Sequence, residues 1–393
     1  MKKILFDFIT LQDNFINGGL LYTQKIFYEI LNKEVEIYGL YDGNAPINEK
    51  IAAITKRYKI NLINIRYKNI HEMVNDMQID TFFIGVAQRY SFFNLCDFKC
   101  RIIIVCHDIS DKSLEYYEIS QFKPLKIFAK KYVINEKKNK IKLIIEFFLY
   151  PLLLFISHIK NKKRKVSRYE KLKKLFQQSN VFVVTDSEYI KYSIQYFLGE
   201  PKNEIKVFYA PISNENIGKA TENYDKMEIE NKKYFLLISV HRDYKNAGLF
   251  IEQWEKFCLK TNNEYHCVLV GKIKANIKNC IVLEKVSSEE LAYLYKNAFA
   301  FIYPSFSEGF GYPPVEAAVY GTPSICANVT SIPEICGDMP IYFSPFYPED
   351  LFRAMIKMVE NREFYVEKTK NRFLEIEQRQ KEDLQKLINM ILS

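Results

Sequence analysis

The sequence predicts an α/β protein of two domains, and three observations carry that prediction. Short apolar, strand-like runs alternate with amphipathic helical stretches from Lys2 onward. The alternation breaks at a polar, poorly patterned stretch, 213–233, and restarts at Tyr234. The length of 393 residues, 48% of them hydrophobic, suits two cores at roughly 150 residues per domain and excludes a disordered chain.

In chain order, 2–9 reads as a buried first strand, followed by a loop that reaches Gly18-Gly19 and a helix over 20–31 with apolar residues at helical spacing. Strand, glycine pair and helix resemble the first unit of a Rossmann-like half, where glycines admit close approach of phosphate or sugar; as residues alone, a connecting turn reads equally well. Residues 34–40, 60–65 and 81–86 read as further strands and 45–58 as a helix. The strand over 101–105 ends in Cys106-His107-Asp108, at the carboxyl edge where open α/β sheets bind ligands.

From 110 to 174 the chain is aromatic, basic and long. Residues 123–174 hold 17 Lys and Arg against three acidic residues, a local charge of +14 in a chain of +9, so the remainder is acidic. Within it, LIIEFFLYPLLLFI (143–156) is interrupted by Glu146 and Pro151 and falls short of the ~20 residues that span a bilayer. It reads as an interfacial segment on an anionic membrane surface, in preference to a core helix with a solvated lysine face, because polybasic attraction contributes about 1 kcal/mol per well-placed cation. Nucleic acid is not expected as a partner, since neither a stacking motif nor a recognition helix accompanies the charge. Residues 179–187, SNVFVVTDS, read as a strand running into the cap of a helix over 188–197, and 205–210 as the last strand of the first half, ended by Pro211.

The second half begins with a strand over 234–240, a polar loop, HRDYKN (241–246), and a helix over 247–259. Strands over 267–271 and 280–283 and a helix over 287–296 follow. The strand at 300–303 stops at Pro304-Ser305, and the loop Glu308-Gly309-Phe310-Gly311 leads to Pro313-Pro314, which suit a first helical turn because proline has no N–H to orphan there. A short helix then runs over 315–320 to Gly321, with Glu316 expected in its first turn. Unpaired N–H groups and the positive dipole end at such a helix start attract phosphate. Glu308 and Glu316 bracket that point with seven residues between them. Ionised carboxylates accept hydrogen bonds from hydroxyls, and a sugar nucleotide carries hydroxyls at both ends of a diphosphate. Amphipathic helices are expected at 348–360, 364–379 and 382–392.

Eight cysteines without a C-x-x-C pair, mostly in apolar surroundings, read as reduced core residues of a cytoplasmic protein. Met1-Lys2-Lys3 runs straight into ILFDFI, too short and acidic for a signal peptide, so secretion is not expected.

The segments FIYPS, EGFGYPPVEA, GTPSICAN and SIPEICGD, with Glu308 and Glu316 in E-x7-E register, resemble the donor site of the GT4 family of retaining glycosyltransferases. The resemblance implies a GT-B fold, two Rossmann-like domains facing each other across a cleft. It implies an acceptor-binding domain over 1–212, a linker over 213–233, a nucleotide-sugar-binding domain over 234–375, and a terminal helix, 376–393, packing back on the first domain. The implied donor is an NDP-sugar, GDP- or UDP-linked, and the anchor looks most like mannosyltransferases. The implied acceptor is a glycan, lipid-linked, in surface polysaccharide assembly.

Residue by residue, Lys245-Asn246 resembles the family's Lys-Asn element and places Lys245 on the leaving diphosphate. Arg242 is expected beside it, from a position displaced from the strand end, where this chain has Val240. Backbone N–H groups of Gly309, Phe310 and Gly311 join them, with Thr330 and Ser331 as further phosphate contacts. Glu316 would hold the ribose. Glu308 and His107 would position the sugar, His107 within IIIVCHDI, which resembles the family's hydrophobic-strand-HD element, as a neutral imidazole bonding a sugar hydroxyl, with its backbone carbonyl toward the anomeric carbon. Gly18 and Gly19 would line the donor side. No cofactor beyond the donor substrate and no metal is expected, because side chains and a helix end meet the diphosphate charge and no D-x-D element occurs. No residue stands out as a nucleophile, so retention is expected by front-face attack within an ion pair. The competing readings are a GT-B sugar-nucleotide epimerase, a phosphorylase, whose cofactor lysine has no candidate here, and a catalytically silent GT-B subunit.

Overall fold

A computed structural model describes the chain except for residues 13–16, 91–92, 110–168, 213–228, 230–232 and 274–275. In the first half, β1 (Lys2–Asp7), β2 (Val35–Tyr41), β3 (Asn61–Asn64), β4 (Thr81–Ile84), β5 (Arg101–Val105), β6 (Val181–Thr185) and β7 (Lys206–Val207) form one parallel sheet in the order β3-β2-β1-β4-β5-β6-β7. Around it lie α1 (Phe8–Leu11), α2 (Gly18–Leu31), α3 (Glu49–Arg57), α4 (Ile70–Asp76) and α5 (Glu188–Leu198). In the second half, β8 (Tyr234–Ile238), β9 (His266–Val270), β10 (Cys280–Leu283), β11 (Ala300–Tyr303), β12 (Ser324–Ala327) and β13 (Ile341–Phe343) pair in the order β10-β9-β8-β11-β12-β13. Its helices are α6 (Ala247–Lys260), α7 (Ser288–Asn297), α8 (Tyr312–Val319), α9 (Ile332–Cys336) and α10 (Pro348–Leu392).

Each sheet winds outward from one strand and then reverses, leaving a crevice at the carboxyl edge between β1 and β4 and between β8 and β11. The strands beside these crevices are covered on both faces, which is why β4 and β11 are buried throughout and read as largely apolar runs. Ile376, Leu387, Ile388 and Ile391 of α10 share a core with Ile4, Phe6 and Tyr209 of the first half. Gln380 Nε2 donates to the Ala210 carbonyl at 2.6 Å, and the Tyr209 N–H donates to Asp383 at 3.0 Å.

Several expected elements differ. The first strand stops at Asp7, not residue 9, because the buried Asp7 carboxylate caps α1 through the Thr10 N–H at 2.9 Å and also accepts from the Tyr90 hydroxyl at 2.7 Å. The expected break between 379 and 382 is absent: α10 carries one non-helical residue, Asn361 (φ −129°), and continues through Gln380-Lys381, which contain no breaker. Glu316 is the fifth residue of α8, beyond its first turn, since the helix starts at Tyr312. The strand expected over 205–210 is only Lys206–Val207.

At the carboxyl end of the basic stretch, residues 169–176 are helical, with Tyr169, Leu172, Leu175 and Phe176 in the core of the first sheet and Lys171, Lys173 and Lys174 exposed. The rest of the segment 123–174, on which the membrane reading rests, lies outside the described residues. Among the described residues no helix is long and apolar enough to cross a membrane. All eight cysteines are free thiols, five of them buried.

Candidate functional site

The second sheet presents its two switch-point loops, after β8 and after β11, side by side. Left-handed backbone at Ser239 (φ 57°) and Asn246 (φ 55°) bounds a helical turn, Asp243–Lys245, that buries Lys245. Lys245 Nζ donates to Glu308 Oε1 at 2.6 Å and to the Tyr303 hydroxyl at 2.8 Å. Ser305 Oγ donates to the same Glu308 oxygen at 2.5 Å. The Glu308 backbone is fixed from the loop after β12: its N–H donates to Thr330 Oγ1 at 3.2 Å, and Ser331 Oγ donates to its carbonyl at 3.0 Å. Thr330 and Ser331 thus hold the loop, and Thr330 does so from a left-handed backbone (φ 56°).

The two loop glycines serve different ends. Gly311 (φ 91°) caps α8 in a conformation that a side chain would strain. Gly309 lies so close to the first half that a Cβ there would stand 1.7 Å from the His107 carbonyl oxygen. Phe310 is buried in the core shared by the two halves, its ring 5.6 Å from that of Tyr209. Its side chain is structural, and only its backbone remains for a ligand.

Glu316 lines an adjoining cavity and accepts from the Tyr295 hydroxyl at 3.0 Å. Burial pushes its carboxyl above the ordinary range, opposed by the Tyr295 hydrogen bond and the Lys245 charge. The cavity, about 830 Å³, lies between the halves and is lined by α2, residues 46–51 and Pro211 on one side and by α7 and α8 on the other. That volume is within the range of small-molecule sites.

His107 follows β5. In the register of β5 with β6, Val105 pairs with Val184, so two residues further His107 stands beside Asp186. Nδ1 lies 2.9 Å from Asp186 Oδ2, and Nε2 lies 2.9 Å from the Gly85 carbonyl, which can only accept. Burial lowers the imidazole pKa, but the hydrogen bond and charge of Asp186, the Gly85 carbonyl and Asp108 outweigh it, and the net shift is upward. Both ring nitrogens, one of them expected to serve the sugar, are thus engaged by the protein, and what His107 turns to the second half is its carbonyl.

Arg242 is not brought into the group. It is exposed and donates to the Tyr244 hydroxyl at 3.0 Å, because the helical turn that buries Lys245 sends it outward. Gly18 and Gly19 are filled by the protein itself: a Cβ on Gly18 would meet the Tyr312 ring at 3.2 Å, and one on Gly19 would meet Val86 at 2.8 Å. Sequence reasoning missed Asp186, Tyr295, Tyr303 and Glu334. Glu334 accepts from the N–H groups of Glu188 and Tyr189 at 2.8 and 2.9 Å, capping α5 of the other half, while Ser187 Oγ donates to the Gly309 carbonyl at 2.6 Å. Only Asp186 had a signal, as the polar end of a strand neighbouring the one that ends in His107.

Two doubly wound parallel sheets, joined so that the loops at their carboxyl edges meet, define the GT-B class of fold. Residues 220–380 match the family of glycosyl transferases group 1. Over its whole length the fold is similar to that of HepE from Anabaena, solved with UDP and glucose, with a TM-score of 0.67 at 12% identity, covering 100% of this chain and 99% of that one. Among curated proteins, the chain is 28% identical over 191 residues to the O-antigen chain mannosyltransferase RfbU of Salmonella typhimurium, covering 45% of this chain and 50% of RfbU. It is 28% identical over 133 residues to the O-antigen chain mannosyltransferase B of Escherichia coli, covering 30% and 35%. The chain therefore spans half or less of the length of these relatives.

Proposed function

We propose that this chain is a retaining, metal-independent glycosyltransferase that moves a hexose, mannose as the best reading, from an NDP-sugar to a glycan acceptor, lipid-linked, in the assembly of a surface polysaccharide at the cytoplasmic face of a membrane. The observation that carries the reading is the Lys245–Glu308 pair at the switch point of the second sheet, next to a cavity that Glu316 lines. The O-antigen mannosyltransferases among its relatives support the choice of sugar and pathway.

The ammonium of Lys245 has three donors, of which Glu308 and Tyr303 take two, leaving one for a phosphate oxygen. A pre-set cation at a leaving group acts where charge develops, and such donors are worth on the order of 10²- to 10³-fold in rate. Backbone N–H groups at the start of α8 add to it. Glu308 accepts its described bonds on Oε1, so Oε2 remains for a sugar hydroxyl. The His107 carbonyl, presented beside Gly309, suits a developing oxocarbenium ion. Retention then proceeds by front-face attack, the departing diphosphate taking the acceptor's proton.

The test is turnover of a panel of NDP-sugars, followed as slow hydrolysis by chromatography and as transfer to lipid-linked glycans. Release of nucleoside diphosphate abolished by Lys245→Ala supports the proposal. No turnover of any donor by the folded protein counts against it and favours the silent-subunit reading.

A further inference from the structure

The cavity beside Glu316 has a charge pattern that the leaving diphosphate does not explain. Among the described residues its lining carries three carboxylates, Glu49, Glu289 and Glu316, and one cation, Lys50. An acidic lining repels phosphate, so phosphate belongs on the Lys245 side and the cavity suits the uncharged, donor-rich end of the ligand. Glu316 and its partner Tyr295 sit at one end. Glu289 stands six residues before Tyr295 on α7, roughly 9 Å along the helix axis. A nucleoside spans a similar length from its ribose hydroxyls to the far edge of its base.

We propose that Glu289 reads the base and selects guanine, so that the donor is a GDP-sugar. The inference rests on the donor-binding reading above and deepens it. An ionised carboxylate only accepts, and it has two oxygens side by side. Guanine alone among the common bases offers two adjacent N–H donors on one edge, N1–H and the 2-amino group. Uracil offers a single N–H flanked by two carbonyl oxygens, which a carboxylate repels. Adenine and cytosine each set one amino group beside an acceptor. A carboxylate at that place thus gains a bidentate bond with guanine and a penalty with uracil, which is how specificity is built from attraction and repulsion together. A good bidentate contact to a base edge discriminates by about 1–3 kcal/mol, on the order of tenfold to a hundredfold. Tyr320, whose ring stacks on that of Tyr295 at 6.2 Å, adds an aromatic wall that serves any base and does not choose among them.

The experiment is calorimetric titration of the full chain with GDP, UDP and ADP, repeated on Glu289→Gln and Glu49→Gln, with circular dichroism to confirm folding. Expected for the native chain is GDP binding at least tenfold tighter than UDP. Glu289→Gln, which places an amide where it must lose one bond or clash with an N–H, should weaken GDP tenfold or more and leave UDP bound as tightly as in the native chain or tighter, because the repulsion of the uracil carbonyls is gone, while Glu49→Gln keeps the preference. Equal or tighter binding of UDP, or an unchanged GDP-to-UDP ratio in Glu289→Gln, overturns the inference and leaves donor binding standing. Absence of binding by all three nucleotides overturns the donor-binding reading, and the base assignment with it.

Discussion

Replacing Gly309 with alanine tests the arrangement of the two halves more directly than any polar substitution. The new Cβ would stand 1.7 Å from the His107 oxygen and 2.8 Å from its carbonyl carbon. Carbon–oxygen contacts settle at about 3.3 Å or more, so the halves must part there by ~1.6 Å. Three hydrogen bonds cross at this point: Ser187 Oγ to Gly309 at 2.6 Å, and the Glu188 and Tyr189 N–H groups to Glu334 at 2.8 and 2.9 Å. A shift of that size takes them beyond bonding distance. Bonds to a charged group contribute about 1.5–3 kcal/mol each, so losing the two on Glu334 disfavours the closed arrangement by about 3 kcal/mol, on the order of 100-fold in population. Donor turnover should fall by a similar factor, and small-angle scattering should show a larger radius of gyration with circular dichroism unchanged. Gly248→Ala is the control, because a Cβ there meets nothing within 4 Å. It should keep full activity and stabilise α6 by about 0.5–1 kcal/mol. Turnover by Gly309→Ala within threefold of the native rate would refute the closed contact as the active one.

Glu316→Ala should raise the KM for the NDP-sugar about tenfold to a hundredfold, the loss of a charged hydrogen bond to ribose, with a smaller change in kcat; steady-state kinetics on the donor decides it. Glu334→Ala should reproduce part of the Gly309→Ala defect, and a native urea midpoint together with native turnover would remove Glu334 from that role. The pKa of His107 is raised in the folded chain, so its contribution to stability is full below the unfolded value of about 6.5 and is lost as pH rises through the folded value. Urea unfolding across that window should show stability declining in the native chain, and Asp186→Asn should flatten the decline. Lys245→Met should cut kcat on the order of 10²-fold and leave Glu308 buried without its cation, at a stability cost of about 3–5 kcal/mol.

What was legible in the sequence was whatever a single segment decides for itself. Strand β11 lies at the bounds its apolar run predicts, since burial on both faces writes itself as an unbroken run, and the edge strand β10 does so although it is only partly buried. The stretch around β12, α9 and β13 was read as motif and not as elements, because runs of three to five residues carry no usable period. The resemblance located Lys245, Glu308 and Glu316 in the same half, and there they meet or adjoin one cavity. It set Arg242 beside Lys245, whereas one helical turn, Asp243–Lys245, turns Lys245 inward and leaves Arg242 exposed. The partners of the site were invisible for a different reason. Asp186 reaches His107 through the register of β5 on β6, and Tyr295 reaches Glu316 through the packing of α7 on α8, neither of which leaves a mark on local composition.

Gly309 shows where this limit lies. A glycine in a loop announces either unusual backbone or close approach, and the sequence offers both readings for Gly309 and Gly311 alike. The structure separates them: Gly311 needs its positive φ, whereas Gly309 needs room for a carbonyl that belongs to the other half. The same contact that makes Gly309 necessary places the His107 carbonyl beside the loop that holds Glu308. An imidazole bound on both nitrogens has no freedom to swing that carbonyl away. The rigidity of His107 and the absence of a side chain at Gly309 are therefore two conditions for one geometry, and weakening either should loosen the same contact.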